Sequence, residues 1–356
     1  MFDARAGRSE HTRSMKKYTL KPLPHDNLRL VYPQKFVIDY KNELNAAQYE
    51  AVTSLEGPHL VIAGAGTGKT RTIVYRVAYL VELGVKPENI LLLTFTRKAA
   101  QEMLRRAAIL LDSRCERVAG GTFHSFANSV LRKHGSLLAY EPNFTILDQT
   151  DAEDVMNLLR TRMKFDTREK RFPRKEALYD LYSRSLNTMT PLVELLMSDY
   201  PQYLELEADI NALHTAYVQY KREHNLMDYD DLLVNLVKLL QHHEVVRGML
   251  SERYRYIMVD EYQDTNRVQA EIVKLLAYKH QNIMVVGDDA QCIYSFRGST
   301  IRNILEFGEQ FPGCKTIKLE ENFRSTQPIL NLANEILKRG AHRASETRGQ
   351  RSDSDR

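Results

Sequence analysis

The 356-residue sequence predicts an α/β fold: a parallel sheet flanked by helices and interrupted by an all-helical insertion. Three observations predict it. Short apolar runs at His59–Ile62, Ile90–Thr94, Tyr256–Asp260 and Asn282–Gly287 each feed a polar or glycine turn, as strands of a covered parallel sheet do. Helical periodicity follows over Thr70–Leu83 and Arg97–Leu111. Between about Ser125 and His224 only 3.6-residue apolar spacing remains, in Asp151–Met163, Lys175–Leu186, Thr190–Leu196 and Ile210–His224, with no convincing strand.

In chain order, residues 1–40 mix charges and prolines and read as a loosely held extension. Residues 41–124 and 225–312 form the sheet-bearing lobe around an inserted helical subdomain at 125–224. Asp228, at the return from that insertion, reads as a helix N-cap, with Leu232 and Leu233 as packing residues. Residues 339–356 hold almost nothing that could enter a core and read as disordered.

The first strand runs into Ala63-Gly64-Ala65-Gly66-Thr67-Gly68-Lys69-Thr70, and a helical pattern opens at the Lys-Thr pair. This is the order of a phosphate cradle. Glycines let backbone N–H groups approach phosphate oxygens, Lys69 reaches the terminal phosphates, and the Thr70 hydroxyl can hold Mg²⁺. Ala63 stands where the strict pattern has glycine. A nucleoside triphosphate is the expected ligand. A second apolar strand, Tyr256–Val259, ends in Asp260-Glu261, where such a sheet places its acid. Asp260 would share the metal with Thr70, and Glu261 would orient or deprotonate an attacking water.

Composition bounds the alternatives. Hydrophobic content of 43% and charged content of 27% suit a globular protein. No apolar run approaches the roughly 18 residues of a membrane span, and the charged start lacks a secretory core. The three cysteines show no C-x-x-C pairing, so zinc and disulfide frameworks are not expected, and the expected compartment is the cytoplasm. A net charge of +4 permits nucleic-acid binding without arguing for it.

Asp260-Glu261-Tyr262-Gln263-Asp264-Thr265-Asn266 closely resembles the D-E-x-Q-D-T-N box of superfamily 1A helicases, the UvrD/Rep/PcrA group. Other boxes match in the family's order: Leu44–Gln48, the cradle, Thr94–Ala100, Gly121–Ser125, Val286–Gly298 and Leu319–Thr326. The resemblance implies a RecA-like lobe using ATP and Mg²⁺, and ATP-driven 3′-to-5′ movement on single-stranded DNA or at a single-strand/duplex junction. Repair or replication proteins would be its partners. By the same resemblance Gln48 holds the adenine edge, Arg71 contacts the nucleotide, Gln291 senses the terminal phosphate, and Arg324 acts as an arginine finger. Phe95, His124, Tyr294, Phe296 and Arg297 would contact DNA by stacking and charge. Relatives often carry Trp where Phe296 stands, and this chain has no Trp at all.

The family's engine has two such lobes. Residues 313–338 read as the opening strand and helix of the second, and its boxes V and VI find no counterpart in the tail. The expectation is therefore a truncated form with little turnover of its own. The alternative is a nucleotide-dependent DNA- or protein-binding module without productive turnover.

Overall fold

The computed structural model describes residues 30, 33, 35–165, 172–288 and 302–336. Most of the 1–40 extension, the tail 339–356, and Gln291, Tyr294, Phe296 and Arg297 lie outside the described residues.

Six strands make one all-parallel sheet: β1 His59–Ala63, β2 Ile90–Thr94, β3 Ala119–Thr122, β6 Tyr256–Val259, β7 Ile283–Gly287 and β8 Lys315–Leu319. Their order is β3-β2-β6-β7-β1-β8, so the α/β expectation holds. Successive side chains of a strand point to opposite faces, and both faces are covered here. Leu91, Leu93, Ile257, Val259, Ile283 and Val285 enter a core with helices α5 Phe123–His134, α10 Tyr229–His242, α11 Glu244–Arg253 and α12 Arg267–Leu276. The alternate residues Ile90, Leu92, Tyr256, Met258, Met284 and Val286 enter a second core. That face carries the short α1 Tyr40–Glu43, then α2 Ala46–Thr53, α3 Lys69–Glu82 and α4 Arg97–Leu110. Unbroken apolar strands are the consequence: every position of β2, β6 and β7 is buried.

Helices α6 Gln149–Arg162, α7 Lys175–Thr188, α8 Leu192–Asp199 and α9 Glu207–Glu223 form a third core, around Met156, Leu178, Leu196, Ile210 and Leu213. Three details differ from the sequence reading. Helix α5, which a boundary at residue 125 would place in the insertion, packs in the sheet's core through Phe126, Ala127, Val130 and Leu131. The stretch read as strandless contains β4 Thr145–Ile146, paired parallel with β5 Leu226–Met227 where the chain leaves and re-enters the lobe. Two residues are too few to leave a period-2 signature. Strand β8, read as the start of a second lobe, lies along the edge of the first sheet in register with all five residues of β1. No described helix is long and apolar enough to cross a membrane.

The Asp228 reading holds. Its side chain accepts from the Asp231 N–H in a reciprocal capping box, and Leu232 and Leu233 are buried.

Candidate functional site

Parallel strands end on the same edge of a sheet, and ligands of such sheets bind beyond the strands' carboxyl ends. Almost every described candidate sits there. The cradle follows β1, Phe95 follows β2, His124 follows β3, Asp260 and Glu261 follow β6, and Arg324 follows β8.

Ala63 is the last residue of β1, fully buried and paired with Leu319. Gly64 and Ala65 open the loop, and Thr67 closes it by donating from Oγ1 to the Gly64 carbonyl at 2.8 Å. Gly66 (φ 85°) and Gly68 (φ 90°) adopt left-handed backbone that side chains disfavour. A Cβ on Gly68 would lie 2.6 Å from Gln48 Nε2, and one on Gly66 would lie 2.7 Å from Arg324 Cβ. Helix α3 starts at Lys69, and its N-cap Gly68 offers no side-chain cap to the N–H groups of the first turn. Such groups are the usual donors to a phosphate.

Gln48 meets the cradle through the protein. Its Nε2 donates to the Thr67 carbonyl at 3.1 Å, and its Oε1 accepts from Asn45 N at 3.4 Å. Arg71 donates to the Glu43 carbonyl at 2.9 Å and to the Tyr75 hydroxyl at 2.8 Å.

The acid box closes on the cradle. Lys69 Nζ donates to Glu261 Oε2 at 2.9 Å, and the Lys69 side chain is only 10% exposed. Glu261 has φ 50°, a left-handed turn that costs a non-glycine residue about 1 kcal/mol. Asp260 is buried, and its Oδ1 has no hydrogen-bond partner among the described residues. Burial, then the neighbouring Glu261 carboxylate, pushes the Asp260 carboxyl up to about 7. A buried carboxylate oxygen without a donor suits a cation. Thr70, Asp260, Glu261 and Arg324 border one cleft of about 590 Å³. The residues present therefore fit a metal-bound triphosphate.

Arg324 is held there by its neighbours. Asn322 Nδ2 donates to the Ala65 carbonyl at 2.6 Å, and its Oδ1 accepts from the N–H groups of Arg324 and Ser325 at 2.9 and 2.8 Å. Phe323 N donates to the Gly66 carbonyl at 2.9 Å. The Arg324 guanidinium belongs to an exposed residue.

Phe95 and His124 border adjoining cavities of about 410 and 160 Å³ that lead from the insertion to Asp260 and Glu261. Phe95 is 38% exposed. Burial lowers the His124 ring below its usual value, so it is neutral at pH 7. Its ring meets Tyr229 edge-on at 6.0 Å.

Residue reading alone missed three side chains that build this edge. Asn322 and Gln263 were visible within matched boxes, yet nothing in their type or spacing shows what they grip. Arg76 lies inside an apolar helical stripe and is 1% exposed. Its Nη1 donates to the carbonyls of Ala51, at 2.6 Å, and Ser54, at the end of α2. No sequence signal marks such a clamp.

A model of the UvrD/REP helicase N-terminal domain matches residues 44–312. The ATP-dependent DNA helicase PcrA of Staphylococcus aureus is 38% identical over 304 residues, covering 85% of this chain and 41% of that protein. The protein of the same name from Staphylococcus epidermidis is 39% identical over 309 residues, covering 84% of this chain and 40% of its own length. The chain thus spans about two fifths of the length of these relatives. With the family model matching most of the chain, the chain belongs to the UvrD/REP helicase family.

Proposed function

We propose that this chain is the nucleotide-binding first lobe of an ATP-driven DNA translocase and helicase, moving 3′ to 5′ on single-stranded DNA. The observation that carries the reading is the contact of Lys69 with Glu261 across a glycine cradle whose acid box also holds a buried Asp260 oxygen with no partner among the described residues. Thr70 and Asp260 would hold Mg²⁺, which when bound neutralises charge on the phosphates. Lys69 exchanges Glu261 for phosphate oxygens. The freed Glu261 carboxylate accepts a proton as water forms a bond to the γ-phosphorus and the bridging P–O bond to ADP breaks. Arg324, pinned by Asn322, faces charge developing on the transferred group. Phe95 and His124 would stack or abut bases of the strand.

A second reading, nucleotide-dependent binding without rapid turnover, is favoured by one feature. Helix 327–336 presents Ile329, Leu332 and Ile336 at about 60% exposure, an apolar face that the described residues leave uncovered. One experiment separates the readings. ATP affinity and hydrolysis are measured with and without single-stranded DNA, for the native chain, Lys69→Ala and Glu261→Gln. Lys69→Ala weakens ATP binding by at least tenfold, and Glu261→Gln retains binding and stops hydrolysis. Native binding without DNA-stimulated hydrolysis selects the second reading; no ATP binding at all sinks both.

A further inference from the structure

Gln263 is buried at 1% exposure, two residues past Glu261 in the short turn Tyr262–Asp264. Its Nε2 donates to Glu261 Oε2 at 2.8 Å, the oxygen that also accepts from Lys69. Its Oε1 accepts from the N–H of Asp288 at 3.0 Å, the residue following β7. A carboxylate can only accept and a backbone N–H can only donate, so the two partners fix the orientation of the amide. Gly287 leaves room for this approach, since a Cβ there would lie 3.0 Å from Gln263 Oε1. The donor end of the amide thus faces the candidate base closely and Asp264 Oδ2 at a long 3.5 Å, and its acceptor end faces the residue that follows β7.

We propose that Gln263 is a positioning residue that keeps the Glu261 carboxylate satisfied when Lys69 leaves it for phosphate, and so raises the affinity of this chain for nucleotide. The inference rests on the ATP-site reading. Lys69 and Gln263 donate to the same Glu261 oxygen. A donor to a carboxylate counts for more when a competing cation departs, because the charge it meets is then less neutralised. A neutral amide serves here because, unlike a second cation, it does not draw the phosphates away from Lys69. Without Gln263, nucleotide must strip Glu261 of its remaining charged partner and leave the carboxylate beside phosphate oxygens.

The test is a double-mutant cycle read by binding of a fluorescent ATP analogue with Mg²⁺ to the full chain. Gln263→Leu lowers affinity roughly 5- to 30-fold in the native background, below the roughly 10- to 150-fold of a fully buried hydrogen bond to a charged group because the Glu261 side chain is 36% exposed. In the Glu261→Gln background the same change lowers affinity less than twofold. Gln263→Glu keeps an acceptor for the Asp288 N–H and turns the donor toward Glu261 into a like charge, so its effect at pH 8 combines the lost donor with repulsion and leaves the contact to Asp288 intact. That variant binds weakly at pH 8 and recovers toward native affinity at pH 6, where the introduced carboxyl, once protonated, donates again. Asp260, Asp264, Asp288 and Lys69 surround the site in every variant, so each affinity is compared with the native chain at the same pH. Equal losses in both backgrounds, or no loss in either, overturn the inference. A native chain that binds no nucleotide overturns the ATP-site reading beneath it, a distinguishable result.

Discussion

At the residue scale the site is governed by where charge is placed without water. Asp260 is the clearest case, its carboxyl raised to about 7 by burial and then by Glu261. Below that value the side chain holds a proton, which a divalent cation bound as proposed would have to displace. Mg²⁺-dependent nucleotide affinity is therefore expected to fall as pH drops from 8 to 6. Calorimetry in buffers of different ionisation enthalpy should register proton release on binding near pH 7. Affinity independent of pH over this range would remove Asp260 from the cation site. Gly68 is equally specific. Gly68→Ala must accept a left-handed backbone and a contact of 2.6 Å with Gln48, so nucleotide affinity is expected to drop at least tenfold and the melting temperature to fall by a few degrees. The motif made this glycine legible, but not the side chain that crowds it.

At the element scale, helices and strands are positioned by a few polar clamps in apolar layers. The two carbonyls at the end of α2 have no intrahelical donor, as at any helix terminus, and Arg76 of α3 reaches through the core to supply one. Burial lowers the Arg76 guanidinium to about 10, still charged at neutral pH. Arg76→Met keeps the aliphatic volume and leaves the carbonyls unpaired. A loss of about 2–4 kcal/mol in denaturant unfolding is expected. Nucleotide affinity should fall with it, because α2 carries Gln48 against the cradle. The segment Asn322–Ser325 plays the matching part on the other side, bringing an arginine from beyond β8 to a loop beyond β1. Its anchor, Asn322, is read only from the folded chain.

At the scale of the whole molecule, the insertion is tied to the lobe by buried charge. Lys221 of α9 is fully buried, 2.6 Å from both Asp228 and Asp231 of α10, and Tyr217 donates to Asp228 at 2.9 Å. Nearby, Asn187 of α7 donates to Asp230 at 2.7 Å and accepts from Asn266 of the acid box at 2.6 Å. A chain of side-chain hydrogen bonds therefore runs from the insertion to the box that holds Glu261. Lys221→Met strands two buried carboxylates, and a loss of about 3–5 kcal/mol is expected at pH 8. Burial, then Asp228, raises Asp230 and Asp231 to about 6. The folded state then binds protons more readily than the unfolded chain. The stability these two carboxyls contribute is full below their unfolded value near 4 and is lost as pH rises through about 6. Because Asp231 is one of the two carboxylates that Lys221 meets, the deficit of Lys221→Met should shrink between pH 8 and pH 5 in urea titrations. A deficit constant across that range would show that the lysine acts by packing alone.

Sequence alone determined the α/β class, the cradle, the acid box and the return at Asp228, because each depends on local rules: strand hydrophobicity, glycine-permitted turns and capping. Tertiary structure alone decided that β8 completes the first sheet, that α5 belongs to the sheet's core, and that Arg76, Gln263, Asn322 and Lys221 hold the edge together. Gln263 and Asn322 meet their partners because parallel strands bring their carboxyl ends to one edge, whereas Arg76 and Lys221 meet theirs where helices pack, α3 on the end of α2 and α9 on the start of α10.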